Sequence, residues 1–155
     1  MDAQAPQPLH VEHQELGHFL AKAVREAGEL GEAARLVARL LEAHMEKEET
    51  FALPPLALLP ALARGKFKPE MAEILAQTDY VKAHLSDLLA EHHAILAALE
   101  RLIAAARAAN RFEYVEFAEK LINHARLEEE VLYPAAIVLG EYVRLKLEAT
   151  LELNP

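Results

Sequence analysis

Three features of the sequence predict an all-α fold: an antiparallel four-helix bundle with an extra short helical connector between its second and third helices. Alanine and leucine dominate an apolar content of 53%, glycine falls to five residues and tryptophan is absent. That mix favours helices over strands. Four long stretches carry apolar residues at helical spacing, and no strand alternation of useful length competes with them. Short turns at two of the three junctions make the neighbouring helices antiparallel. At 155 residues the chain suits one domain, 1–155, able to bury roughly 70% of its unfolded surface. Within it, two helical hairpins are expected, at about 9–55 and 80–135.

Taken in order, Pro8 suits the first turn of a helix, and Leu9, His13, Leu16, Leu20 and Val24 form its apolar stripe. Gly28 and Gly31 bracket a short break. The second helix carries Ala34, Val37, Leu40, Leu41, His44, Glu48 and Phe51 inward, and Pro54-Pro55 end or kink it. Leu56–Lys68 reads as the connector, apolar and then basic, and Leu53–Leu62 is expected as an exposed apolar patch. Pro69 opens a helical stretch over Glu70–Gln77, with Thr78-Asp79 as a break and new N-cap. The third helix runs from about Tyr80 to Ala109, with Ala83, Leu88, His92, Ile95, Leu99 and Ile103 inward. Asn110-Arg111 turns the chain into the fourth, which starts near Phe112. It carries Val115, Ala118, Leu121, His124, Leu127, Glu128 and Val131. Pro134 should kink this helix, and Gly140 end it or let the tail bend.

Charge and residue usage exclude several function classes. A formal net charge of −9 argues against nucleic-acid backbones and anionic membrane surfaces as partners. Without cysteine there is no disulfide framework, zinc ribbon or thiol chemistry. No apolar run approaches the roughly 18–20 residues of a membrane span, and Met1–Pro8 has neither a basic nor an apolar leader segment. A cytoplasmic protein is the expectation.

The chemistry lies in a duplicated phrase. His124-Ala-Arg-Leu-Glu128-Glu129, with Pro134 beyond, repeats His44-Met-Glu-Lys-Glu48-Glu49 with Pro54, eighty residues earlier. A histidine and a glutamate four residues apart share one side of a helix, and that side is apolar here. Inward imidazole and carboxylate are costly unless a proton, a partner or a metal compensates them. The repeat extends further: Glu12-His13 matches Glu91-His92, with His13 preceding His44 by 31 residues and His92 preceding His124 by 32. Each hairpin thus offers one histidine from its first helix, and a histidine and a glutamate from its second. Four imidazoles and two carboxylates suit two metal ions bridged by the carboxylates. Imidazole and carboxylate without thiolate fit iron, manganese, zinc or copper(II). Bridging carboxylates and four imidazoles fill about eight of roughly twelve octahedral positions, and an oxygen bridge about two more. That leaves room for dioxygen, peroxide or nitric oxide.

On His13, His44, Glu48, His92, His124 and Glu128, over about residues 9–135, the chain resembles the hemerythrin HHE cation-binding family. The resemblance implies these six residues as metal ligands, two iron ions in an oxo- or hydroxo-bridged non-heme centre, and a four-helix bundle. It also implies a function in oxygen binding or sensing, peroxide decomposition, nitric-oxide response or iron handling, so catalase- or peroxidase-like activity stays open. Two positions depart from the oxygen carriers of the family. Leu88 stands where their third helix has an additional histidine, and Glu129 where they have aspartate. These changes favour redox reactivity over reversible carriage. The alternative from another class is a structural or metal-buffering helical interaction module.

The remaining polar residues read more modestly. His10, His18, His84 and His93 lack repeat partners and suit the surface or a supporting role. Glu49 and Glu129 either ligate or accept hydrogen bonds that orient imidazoles. Glu12 and Glu91 read mainly as solvated charges. Tyr133, extrapolated along an ideal helix, points away from the His124 side and reads as packing.

Overall fold

The computed structural model describes residues 4–152, and among these there is no strand. Seven α-helices follow in order: α1 Gln7–Ala23, α2 Gly28–Lys47, α3 Leu59–Ala63, α4 Leu75–Ala83, α5 Leu85–Ala108, α6 Phe112–Leu127 and α7 Tyr133–Glu152. Pro8 lies in the first turn of α1, where a missing N–H costs nothing. Asn110, at φ 54°, supplies the left-handed residue that ends α5. None of the helices among the described residues is long and apolar enough to cross a membrane.

Helices α1, α2, α5 and α6 pack around one core. Leu16 and Leu20 meet Leu30, Val37 and Leu41 from α2, Ile95, Leu99 and Leu102 from α5, and Val115, Phe117 and Leu121 from α6. Each such fully buried side chain is worth about 1.5–3 kcal/mol over its exposed state. An ion-pair clamp joins the two tight turns. Arg111 donates to both oxygens of Glu26 at 2.7 and 2.8 Å, and the Tyr114 hydroxyl donates to Glu26 at 2.6 Å.

Several local features differ from the sequence expectation. Gly31 does not break the chain. It lies in the first turn of α2, and a Cβ there would come within 1.9 Å of the Glu26 carbonyl oxygen. Thr78-Asp79 falls inside α4, where the Thr78 hydroxyl bonds back to the Leu75 carbonyl at 3.2 Å. The interruption comes instead at His84, whose ring Nδ1 donates to the Tyr80 carbonyl at 2.9 Å and closes the helix. The third long helix therefore starts at Leu85, and Ala83 is exposed. Gly140 does not end the last helix, which continues to Glu152. Its missing side chain lets α7 approach α4, because a Cβ would sit 2.2 Å from Thr78 Oγ1.

The connector is not an exposed patch. Leu53, Pro54, Pro55, Leu56 and Leu58 are buried, while Leu59 stays 40% exposed. Leu53 and Leu56 pack with Ala136, and Leu58 with Ile74, Leu139 and Val143, so α7 covers this segment. At the ends of α2 and α6 the chain widens into one π-helical turn, Glu48–Ala52 and Glu128–Leu132. Each begins at the repeated glutamate and stops two residues before the repeated proline. The backbone N–H of Leu53 reaches the Glu48 carbonyl, and that of Tyr133 the Glu128 carbonyl, five residues back. Such turns absorb a helix interruption and commonly mark functional sites. The second turn also carries Val131 outward, to 50% exposure, although an ideal helix would place it inside; Leu127, the last residue of α6, is 40% exposed against the same expectation.

Candidate metal centre

The six repeated residues meet between α1, α2, α5 and α6 and the turns that end α2 and α6. His13, His44, His92 and His124 are 6% exposed or less, and Glu48 and Glu128 are each 1% exposed. Each sits on the stripe that supplies the core: His13 with Leu16 and Leu20, His44 with Val37 and Leu41, His92 with Ile95 and Leu99, His124 with Leu121. Two buried carboxylates in apolar surroundings cost several kcal/mol each unless compensated.

Their donor atoms form two groups that share both glutamates: His13, His124, Glu48 and Glu128, and His44, His92, Glu48 and Glu128. In the first, the Nε2 atoms of His13 and His124 lie 3.1 Å apart, and Glu128 Oε1 is 2.7 Å from His124 Nε2. In the second, the Nε2 atoms of His44 and His92 lie 2.8 Å apart. Glu48 Oε1 is 3.1 Å from His44 Nε2, and Glu128 Oε2 is 3.2 Å from His92 Nε2. One oxygen of each glutamate thus faces each group.

The outer nitrogen of every ring is held by a carboxylate. His13 Nδ1 donates to Glu49 at 2.9 Å and His92 Nδ1 to Glu129 at 2.8 Å. His44 Nδ1 donates to Glu91 at 2.7 Å and His124 Nδ1 to Glu12 at 3.0 Å. The pattern keeps the register of the repeat, and two of the four bonds cross between the halves. In it, Glu49 and Glu129 accept hydrogen bonds that orient His13 and His92. It also corrects the reading of Glu12 and Glu91 as solvated charges. Glu91 is additionally paired with Lys47, and Glu49 accepts from the exposed His10 at 3.2 Å. His18 and His93 are exposed and take no part.

These outer bonds fix the tautomer. With Nδ1 carrying the proton, each neutral ring turns an Nε2 lone pair inward. Two lone pairs then face each other across 2.8 Å in one group and 3.1 Å in the other. Only a proton or a cation between them removes the repulsion. In the protein alone, protons do so. Burial disfavours the imidazolium of His44, but hydrogen bonding and charge from Glu48, then Glu91, outweigh it and push its pKa up to about 9. For His124 burial is likewise outweighed, by Glu128 and Glu12, and its pKa also rises to about 9. His13 shifts upward for the same reasons, against burial and the charge of His124. Burial opposes ionisation of Glu128, yet hydrogen bonds from His124, His13 and His92 hold its carboxyl well below the usual range. A cation can replace the protons at the same nitrogens, and the donor set therefore fits metal ions.

Tyr133 is the residue that helical extrapolation missed. An ideal α-helix would set it about 140° round from Glu128. The wider π-helical turn advances each residue by less, and Tyr133 turns inward until it is fully buried. Its hydroxyl donates to Glu48 Oε1 and lies 3.2 Å from His44 Nε2 and 3.3 Å from His92 Nε2. Burial first, then Glu48 and Glu128, pushes its phenol far above the usual range. The proline at position 134 was the available signal that regular helical geometry fails nearby.

Space at the centre is small. A void of about 10 Å³ is bordered by Leu41, Met45, Ile95, Leu121 and Ala125 together with His44, His92, His124, Glu48 and Glu128. It holds about one water-sized species. A larger groove, about 720 Å³ between α1 and α6, is bordered by Glu12, the partner of His124.

A buried, two-fold repeated histidine–glutamate cluster in an all-helical chain defines a cation-binding helical protein. The family model of the hemerythrin HHE cation binding domain matches residues 6–136, and the chain belongs to that family. No curated protein and no solved structure matches it.

Proposed function

We propose that this chain is an antiparallel four-helix bundle holding two iron ions, and that the pair binds, senses or reduces dioxygen, peroxide or nitric oxide. The observation that carries the reading is the two facing pairs of Nε2 lone pairs, with Glu48 and Glu128 turned to both. His13, His124, Glu48 and Glu128 would hold one ion, and His44, His92, Glu48 and Glu128 the other. Glu12, Glu49, Glu91 and Glu129 add four further carboxylates around the cluster. Six negative groups about two sites suit a pair of multivalent cations rather than one monovalent ion. When bound, iron supplies one-electron chemistry and affinity for small oxygen and nitrogen species. The residues of the chain orient the imidazoles, exclude bulk water and, through the small apolar-walled void, restrict the ligand to a few atoms.

The test is expression in iron-supplemented medium followed by metal and absorbance measurement, in the wild type and in His44→Ala and His124→Ala. The wild type retains about two irons per chain and changes its spectrum with dioxygen, peroxide or nitric oxide; the variants lose the metal. Variants that keep wild-type metal content would overturn the assignment. Sustained oxygen evolution from peroxide over many turnovers identifies a catalase-like enzyme, and one stoichiometric spectral change a sensor or carrier. The structural or metal-buffering alternative rests on the acidic character of the chain, at a formal net charge of −9, and on an exposed Leu53–Leu62 patch. The burial of Leu53, Leu56 and Leu58 withdraws the second of these supports and leaves the first.

A further inference from the structure

We infer that Tyr133 is a fifth protein ligand to the ion held by His44 and His92, so that the two metal positions are chemically unequal. The inference rests on the two-metal reading above and deepens it.

The first support is an excess of lone pairs. A phenol has one proton to give, and Tyr133 gives it to Glu48. His44 and His92 carry their protons on Nδ1, where Glu91 and Glu129 accept them. In the metal-free protein a proton between the Nε2 atoms of His44 and His92 relieves that pair, and the phenolic oxygen, 3.2 and 3.3 Å from the two, is left without a hydrogen toward at least one of them. A hydrogen-bonding role toward Glu48 explains one of the three contacts and leaves at least one without a hydrogen.

The second support is the shape of the donor set. A six-coordinate ion with bonds of about 2.1 Å puts neighbouring donors about 3.0 Å apart and opposite donors about 4.2 Å apart. The pairs His44–His92, His44–Glu48 and His92–Glu128 are separated by 2.8, 3.1 and 3.2 Å. His92 Nε2 and Glu48 Oε1 are 4.0 Å apart, the spacing of an opposite pair. Tyr133 falls on the same pattern, adjacent to both imidazoles. Tyr133 and the four donors of this group would give one ion five protein ligands, with a sixth position left over.

The other half offers no equivalent. Tyr133 stands five residues after Glu128, and the residue five after Glu48 is Leu53, fully buried and without a donor atom. The ion between His13 and His124 would be left with two imidazoles and two carboxylate oxygens. On loading with iron(III), the Tyr133 O–H bond breaks, its proton leaves to solvent and the oxygen binds the ion as phenolate. No electron moves.

The experiment is visible absorption and resonance Raman spectroscopy of the iron(III)-loaded full chain, with metal counted first. The wild type shows a phenolate-to-iron charge-transfer band, and excitation in that band enhances tyrosine ring vibrations that shift when ring-labelled tyrosine is incorporated. Tyr133→Phe keeps two irons and loses both signals, whereas Tyr114→Phe keeps them. Two irons without the band in the wild type, or a band that survives Tyr133→Phe, overturns the inference and leaves the two-iron reading standing. Failure to bind iron overturns both. If Tyr133→Phe does not fold, the isotope shift in the labelled wild type still decides the presence of a phenolate. Tyr80→Phe and Tyr142→Phe then exclude the other candidates, and loss of the band in either overturns the assignment to Tyr133.

Discussion

Replacing Glu91 by glutamine tests whether the outer carboxylates tune the metal site or merely decorate it. Glu91 accepts the His44 Nδ1 proton at 2.7 Å and also pairs with Lys47. Glutamine keeps the shape and an acceptor oxygen but removes the charge that makes the inward Nε2 more basic. Its NH₂ group can also present a donor to Nδ1, turning the ring toward the tautomer that has no inward lone pair. Outer partners of metal-binding histidines are worth 10–100-fold in affinity, or about 1.4–2.7 kcal/mol. The bond here is short and half-buried, so a loss in the upper part of that range is expected. A competition titration against a chelator of known affinity measures it. Glu12→Gln, the counterpart on His124, should lose a comparable amount, and the exposed Glu15→Gln almost nothing. Glu91→Gln affinity within twofold of wild type would refute the reasoning.

Three further outcomes follow from the same geometry. In protein stripped of metal, the raised pKa values of His44 and His124, about 9 each against an ordinary 6.5, mean that the folded state holds protons the unfolded chain has released. That stabilisation is fully present below about pH 6.5 and is lost as pH rises through about 9, on the order of 3 kcal/mol per group. Urea midpoints at about pH 6 and pH 9 should therefore fall with pH; a flat or rising profile contradicts the assignment. Metal uptake should release protons at neutral pH, with affinity rising toward about pH 9; calorimetry in buffers of different ionisation enthalpy reads the proton count, and a count of zero fails the prediction. Gly140→Ala should lower thermal stability by about 1–3 kcal/mol, because its Cβ would meet Thr78 Oγ1 at 2.2 Å; an unchanged melting temperature would show that α4 and α7 separate freely.

The six central residues were legible because two constraints coincide in them. A histidine and a glutamate one turn apart can be read along any helix, and the second copy at matched spacing removes the coincidence. Tyr133 was illegible for a geometric reason: a 100° step per residue was carried through Glu128–Leu132, where the helix is π-wound. Val131 was misplaced by the same assumption. Glu12 and Glu91 were missed because their imidazoles, His124 and His44, lie on the other hairpin. Nothing local marks such a bond. The continuation through Gly140 likewise depends on how α4 and α7 meet, with Thr78 filling the space the glycine leaves. Periodicity described the long helices well, and tertiary contact decided their ends.

The most direct test is an anomalous difference map at the iron edge from crystals of the iron-loaded protein. The account predicts two peaks per chain, one between His13 and His124 and one between His44 and His92, with Glu48 and Glu128 reaching both. A single peak, or iron bound only at surface carboxylates, would contradict it.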